Sequence, residues 1–173
     1  MKTNKKTVAR NVAQKKKFVK ENDDIRREIL KIKFSGECQI TRFFLTLPGD
    51  QRPDRLKGIK EMHVYENLQD MHFIPRENWN FRWDTRNGTL GSRGLHYFYV
   101  DGSGWNLETK RRFWIWILGE DIYNDLSERS NVIRLGKKDL STALLWNTNL
   151  RSELLKLTGT TYEEFLKERK KEK

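Results

Sequence analysis

Catalytic or metal chemistry in this sequence would have to come from three histidines (His63, His72, His96), a lone cysteine (Cys38) and one glycine-rich segment, Asp101-Gly102-Ser103-Gly104. The glycine segment lacks the Gly-Lys-Ser/Thr ending with which a phosphate-cradling loop grips a nucleotide, so it reads as a strand-to-helix connection. The histidines lack close metal-ligand spacing, and a single cysteine can form no internal disulfide. There is no Gly-x-Ser-x-Gly elbow and no His-Glu-x-x-His pair. A nuclease would need His63, His72 or His96 to act with an acid, and no spacing in the sequence supplies one. The expectation is a binding protein, not an enzyme, with no cofactor and no structural metal.

Tryptophan, arginine and lysine remain. Six tryptophans stand at 79, 83, 105, 114, 116 and 146, and indole faces stack on bases and attract cations. For any one of them core packing is the commoner role. Trp79, Trp83 and Trp146 have polar company: Trp83 precedes Asp84, Trp79 shares its face, and Trp146 follows a lysine-bearing turn. The net charge is +11, of which residues 1–20 supply +8 (Lys2, Lys5, Lys6, Arg10, Lys15, Lys16, Lys17, Lys20, no acid), leaving +3 for the rest. Such an arm either attracts phosphate backbones in a salt-dependent way or simply solubilises the chain.

The elements that must position these residues follow from periodicity. Asn22 or Asp23 caps a short helix carrying Ile25, Ile29, Leu30 and Ile32, and Gly36 ends it. Residues 40–47, 78–84 and 95–100 read as strands, the last because it is aromatic and aliphatic almost throughout. Residues 59–71 read as a helix. Asn106 caps a central helix with Trp114, Ile117, Leu118 and Ile122 on one face, running past Glu120. Residues 132–135 and 140–146 read as a hairpin around Lys137 and Lys138, followed by helices over 150–157 and from Tyr162, the latter opened by a Thr161/Glu164 capping box.

At 173 residues, 36% of them hydrophobic and 34% charged, the chain has apolar material for a single core. No apolar run is long enough for a membrane span, and charge stands where a signal peptide would be hydrophobic, so a cytoplasmic location is expected, with the nucleus as the alternative. The expected organisation is a basic N-terminal arm over 1–21, free to be flexible, and one α+β domain over 22–173.

The order of features from residue 83 onward resembles the eukaryotic translation initiation factor 4E family, which binds the 7-methylguanosine cap of messenger RNA. The resemblance runs through Trp83-Asp84, Arg93-Gly94-Leu95, the stretch from Phe113-Trp114 to Gly119-Glu120, then Arg134, Lys137 and Lys138, and Leu144-Leu145-Trp146-Asn147-Thr148-Asn149. It implies a curved antiparallel sheet with helices on its convex face. It also implies a cap pocket in which Trp83 stacks on the base, Asp84 reads the guanine edge, Trp146 touches the methyl group, and Arg134, Lys137 and Lys138 hold the phosphates. A stacked indole would gain a cation–π term from the methylated, positively charged base.

The N-terminal half departs from the family pattern, since residues 47–58 contain no aromatic residue to supply the second face of the sandwich. Arg52, Arg55 or Trp79 could cover that face, or the pocket is incomplete. The resemblance implies capped mRNA as partner, in translation initiation or its regulation, and no membrane. An initiation-factor scaffold or inhibitor protein is a candidate partner through the helix around Tyr65-Leu68. The alternative is a general basic RNA- or ribosome-associated protein without cap selectivity.

Overall fold

The computed structural model describes residues 5–52, 68–132 and 138–171. Within them the chain is α+β and mostly helical, with helices α1 (Lys5–Lys33), α2 (Gln39–Thr46), α3 (Leu107–Leu118), α4 (Glu120–Val132), α5 (Leu140–Thr158) and α6 (Tyr162–Lys171). Strands β1 (Leu68–His72) and β2 (Gly88–Ser92) pair antiparallel, Leu68 opposite Ser92 and His72 opposite Gly88. They are the whole sheet among the described residues, and no larger curved sheet occurs there. No helix among them is long and apolar enough to cross a membrane.

Three segments expected to be strands are wound instead. Residues 40–46 fall in α2, with Leu47 as its C-cap, and there Ile40, Phe43 and Phe44 sit at i, i+3 and i+4 and are buried together. Arg52 closes its far end by donating to the carbonyls of Leu45 (3.1 Å) and Leu47 (3.0 Å), groups a helix C-terminus leaves unpaired. Residues 78–84 form successive turns. The aromatic run after Leu95 coils into a π-helical turn, His96–Asp101, which Gly104 closes by donating its N–H to the Phe98 carbonyl at 2.9 Å. A Cβ on Gly102 would lie 2.7 Å from the carbonyl oxygens of Phe98 and Tyr97, so the chain can fold back only because that residue has none.

The hairpin expected over 132–146 also gives way. Residues 133–137 lie outside the described residues, and 140–146 open α5, where the Asp139 side chain caps the helix by accepting from the Thr142 N–H at 2.9 Å. Of the helix expected over 59–71, residues 59–67 lie outside the described residues and the rest is β1. Asn106 does cap α3, accepting from Thr109 N–H at 2.8 Å. That helix stops at Gly119, whose φ of 80° breaks it from α4. The capping box at α6 is formed: Thr161 N–H donates to Glu164 Oε2 at 2.8 Å, and Glu164 N–H to Thr161 Oγ1 at 3.3 Å.

Two clusters make the core. The larger is aromatic, with Phe43 edge-on to Trp105 (5.6 Å) and Phe113 (5.4 Å), and Tyr99 edge-on to Phe44 (5.0 Å). The smaller holds Ile25, Ile29, Trp79, Trp83, Ala143, Leu150 and Leu154 between α1 and α5. Phe18, Asn22, Ile25 and Ile29 recur at i, i+4, i+7 and i+11, the stripe that binds α1 to its neighbour, and each fully buried isoleucine contributes about 1.5–3 kcal/mol. Residues 5–21 of the expected arm belong to this helix, and positions 7–13 are exposed all round.

A charge lies between the clusters. Arg26 has no exposed surface and forms an ion pair with Asp70 of β1. Its Nε donates to the Asp84 carbonyl (3.4 Å) and its Nη2 to that of Asn87 (3.2 Å). Asn87, itself fully buried, accepts from the Ile74 N–H (2.7 Å) and donates to the carbonyls of Ile74 (3.1 Å) and Phe81 (3.0 Å), fixing the 73–87 loop. Replacing Arg26 by Met should cost about 3–5 kcal/mol in urea unfolding, because Asp70 is left charged and unpaired in the interior. Adding Asp70→Leu should recover most of that loss, and simple additivity of the two substitutions would contradict the pairing.

Candidate nucleic-acid interface

The residues expected to form a cap pocket are brought together, but as core. Trp79 and Trp83 meet edge to face at 5.0 Å, and Trp146 of α5 packs on the same cluster. Trp83 is 0% exposed. Its Nε1 donates to Asp23 of α1 at 2.8 Å, and the Arg82 guanidinium lies 5.4 Å from its ring centroid, where a charged purine would have to stand. Asp23 also takes the fork of Arg82, at 3.2 Å from Nε and 2.8 Å from Nη2. Asp84 is occupied as well, accepting from Arg86 Nε (3.0 Å), Nη2 (2.7 Å) and backbone N–H (2.9 Å).

Of the basic residues expected on the phosphates, only Lys138 is among the described residues. Lys138 is exposed, and its carbonyl accepts from Lys15 Nζ at 3.3 Å. Arg134 and Lys137 lie outside the described residues, as do Arg55, His63 and Tyr65. Leu68, the end of the expected partner helix, begins β1. Arg52 is committed to the end of α2 and covers no indole.

Two of the concave surfaces elsewhere among the described residues involve α1. A groove of about 390 Å³ runs beside α1 and is lined by Lys15, Lys16, Val19, Lys20, Asp23, Asp24, Arg27 and Trp79. Lys16, Lys20 and Arg27 stand at i, i+4 and i+11 and so share one side of the helix, spread over about 16 Å at 1.5 Å per residue. Arg27 lines a second cleft too, of about 830 Å³, over β1 and the turns that follow β2. There Arg76 and Arg93 face His72, His96 and Tyr97. The basic side of α1 therefore runs into a cleft with two further arginines.

Sequence spacing did not join the histidines to acids; the fold does. A π-helical turn brings residues five apart together, and His96 Nε2 lies 3.3 Å from Asp101 Oδ1. Burial holds the His96 pKa below its ordinary value, with Asp101 acting in the opposite sense. His72 is more confined: its Nε2–H donates to the Arg82 carbonyl at 2.9 Å, and its Nδ1 accepts from Arg76 Nε at 3.3 Å. Burial pushes its pKa from 6.5 down to about 4, assisted by Arg26 and Arg76 and opposed by Asp70 and by the bond to Arg82. Both ring nitrogens of His72 are committed to positioning, which leaves neither for proton transfer. Among the described residues no group of His, Cys, Asp and Glu could hold a metal ion. Cys38 is buried, its sulfur accepting from the Ser92 N–H at 3.2 Å, which is a structural role.

The chain matches no family model, no curated protein and no solved structure.

Two outcomes follow from this geometry. Trp83→Ala should lower stability by about 3–5 kcal/mol, the range for an aromatic lost from a packed core, as read by urea unfolding. A stable, folded Trp83→Ala protein would show that the indole is not core. The second concerns pH. Native His72 stays neutral down to about pH 4, whereas the unfolded chain takes up a proton from about pH 6.5. Stability present above pH 6.5 is therefore lost as pH falls towards 4, by on the order of 3 kcal/mol. In His72→Gln, which keeps a donor and an acceptor, the urea midpoint should fall less over that window, with His96 still contributing; parallel profiles would remove His72 as the cause.

Proposed function

We propose that this protein binds RNA through its phosphate backbone, as a basic RNA-associated protein without selectivity for a methylated cap. One observation carries the reading: the exposed side of α1 bearing Lys16, Lys20 and Arg27 leads into a cleft that holds Arg76 and Arg93. A nucleic-acid strand needs cations along a line, because its charges are spaced along a line, and each phosphate neutralised releases condensed counterions. Lys16, Lys17 and Lys20 form no hydrogen bond or ion pair among the described residues, so their charge is available. The projecting first half of α1 adds Arg10 to the same field.

The reading is one of binding, with no chemical step assigned. Cap selectivity would require Arg82 to leave the Trp83 ring, Arg86 to leave Asp84 and the smaller core cluster to open, each against the contacts described above.

The test is fluorescence anisotropy of a short labelled single-stranded RNA titrated with protein at 50–200 mM salt. Wild type should show log K falling linearly with log salt. Lys16→Glu with Lys20→Glu should weaken binding at least tenfold and reduce the slope by about 1.4, since each single-strand phosphate contact contributes about 0.7. RNA carrying a cap with or without the N7 methyl should bind equally. Binding indifferent to salt would overturn the proposal, and tighter binding of the methylated cap would transfer it to the Trp83 pocket.

A further inference from the structure

We infer that the cleft over β1 seats one nucleotide of single-stranded RNA, with its phosphate on Arg76 and Arg93 and its base stacked on Tyr97. This rests on the RNA-binding reading and assigns a specific ligand to the end of the basic track.

The charges of the cleft come first. Two acids line it, and both are engaged: Asp70 with Arg26, and Asp101 with His96. Arg93 is exposed and forms no hydrogen bond or ion pair among the described residues. Arg76 uses Nε on His72 and Nη2 on the Asp70 carbonyl (2.9 Å), which fixes the plane of its guanidinium and leaves Nη1 for a ligand. Arg27, at the junction with the α1 groove, has a buried Nε with no hydrogen-bond partner and only a 4.0 Å approach to Asp24. The surplus is cationic, and guanidinium groups bind phosphate oxygens in bidentate fashion.

An aromatic platform distinguishes a nucleotide site from a plain anion site. Tyr97 lines this cleft and is 77% exposed, while its neighbour Tyr99 is buried in the aromatic core. The π-helical turn separates them: it sends Tyr99 inward, ties His96 to Asp101, and leaves Tyr97 outward beside Arg93. Such turns are rare and concentrate at functional sites. An exposed aromatic ring beside arginines with donors to spare can take a base on its face while the phosphate stays on the cations. The cavity, about 830 Å³, falls in the range of small-molecule sites. A base within a duplex has no free face to offer, so the occupant belongs to a single strand.

The experiment has two arms. In the first, calorimetric titration of the full chain should show AMP binding at least fivefold more tightly than inorganic phosphate, the low end of what stacking on one ring contributes. Tyr97→Ala should erase that difference, and Tyr97→Phe should keep it. In the second, Tyr97→Ala should weaken single-stranded RNA about tenfold at unchanged salt slope, while Arg93→Ala should reduce the slope by about 0.7. Equal binding of AMP and phosphate, or RNA affinity unmoved by both substitutions, would overturn the inference. If Lys16→Glu with Lys20→Glu still weakens RNA binding at least tenfold in that case, the backbone reading stands and only the nucleotide seat falls.

Discussion

A guanidinium with no access to water holds this molecule in register. Arg26 belongs to the longest helix, its counter-ion Asp70 to the first strand, and its other two partners are carbonyls of the loop that carries Trp79 and Trp83. Desolvating a charge costs several kcal/mol unless every donor is met, so the loop, the strand and the helix must arrive at one arrangement together. The backbone around the pair is correspondingly tight: a Cβ on Gly88 would lie 2.0 Å from the Met71 carbonyl and 2.7 Å from Arg26 Nη2. The same positive charge adds to the burial that keeps His72 neutral, and His72 in turn orients Arg76 at the rim of the cleft. One ion pair thus links the core to the surface on which a ligand would be recognised.

Some helix ends were legible in the sequence because capping is local chemistry, although Asn22 and Asp23, expected to cap a short helix, lie in the interior of α1. Asn106, the Thr161/Glu164 box and Gly36 each act within one turn of where they stand, and each acts as their residue types suggest. Strands were misread because a run of aromatic and aliphatic residues states only that it must be buried, not at what period. In residues 40–47 the spacing of Ile40, Phe43 and Phe44 was helical from the outset; in 95–100 the winding is set by Gly102 and Gly104, several residues beyond the run. Asp139 marked the start of α5 as clearly as Asn106 marks α3, but between two lysines and a leucine it read as part of a turn. The β1–β2 pairing carried little signal, since seven of its ten residues are glycine or polar, the glycines admitted by close backbone approach.

The candidate site divides in the same way. Polar neighbours set Trp79, Trp83 and Trp146 apart as the tryptophans not expected in the core, yet the three share one core cluster. Whether the cluster opens to solvent was not readable, because Asp23 and Arg82, which close it, come from segments nearly sixty residues apart. The cleft at Tyr97 and Arg93 escaped notice for the converse reason. Its residues sit in a segment that looked like an ordinary strand, and only a five-residue turn sets Tyr97 apart from Tyr99.

Helices α1 and α5 run side by side in the same direction: Lys15 meets Lys138, Asn22 meets Ala143 and Asn147, and Lys33 meets Glu153. Parallel neighbours cannot be joined by a short loop, and here everything from α2 to α4 intervenes. A ribosome making about 5–20 residues per second therefore releases the first helix on the order of ten seconds before the surface it must cover exists. A helix so rich in lysine, lacking its packing partner, has little reason to hold its shape in water. Of the two helices α1 is made first, and it settles only when α5 has followed it.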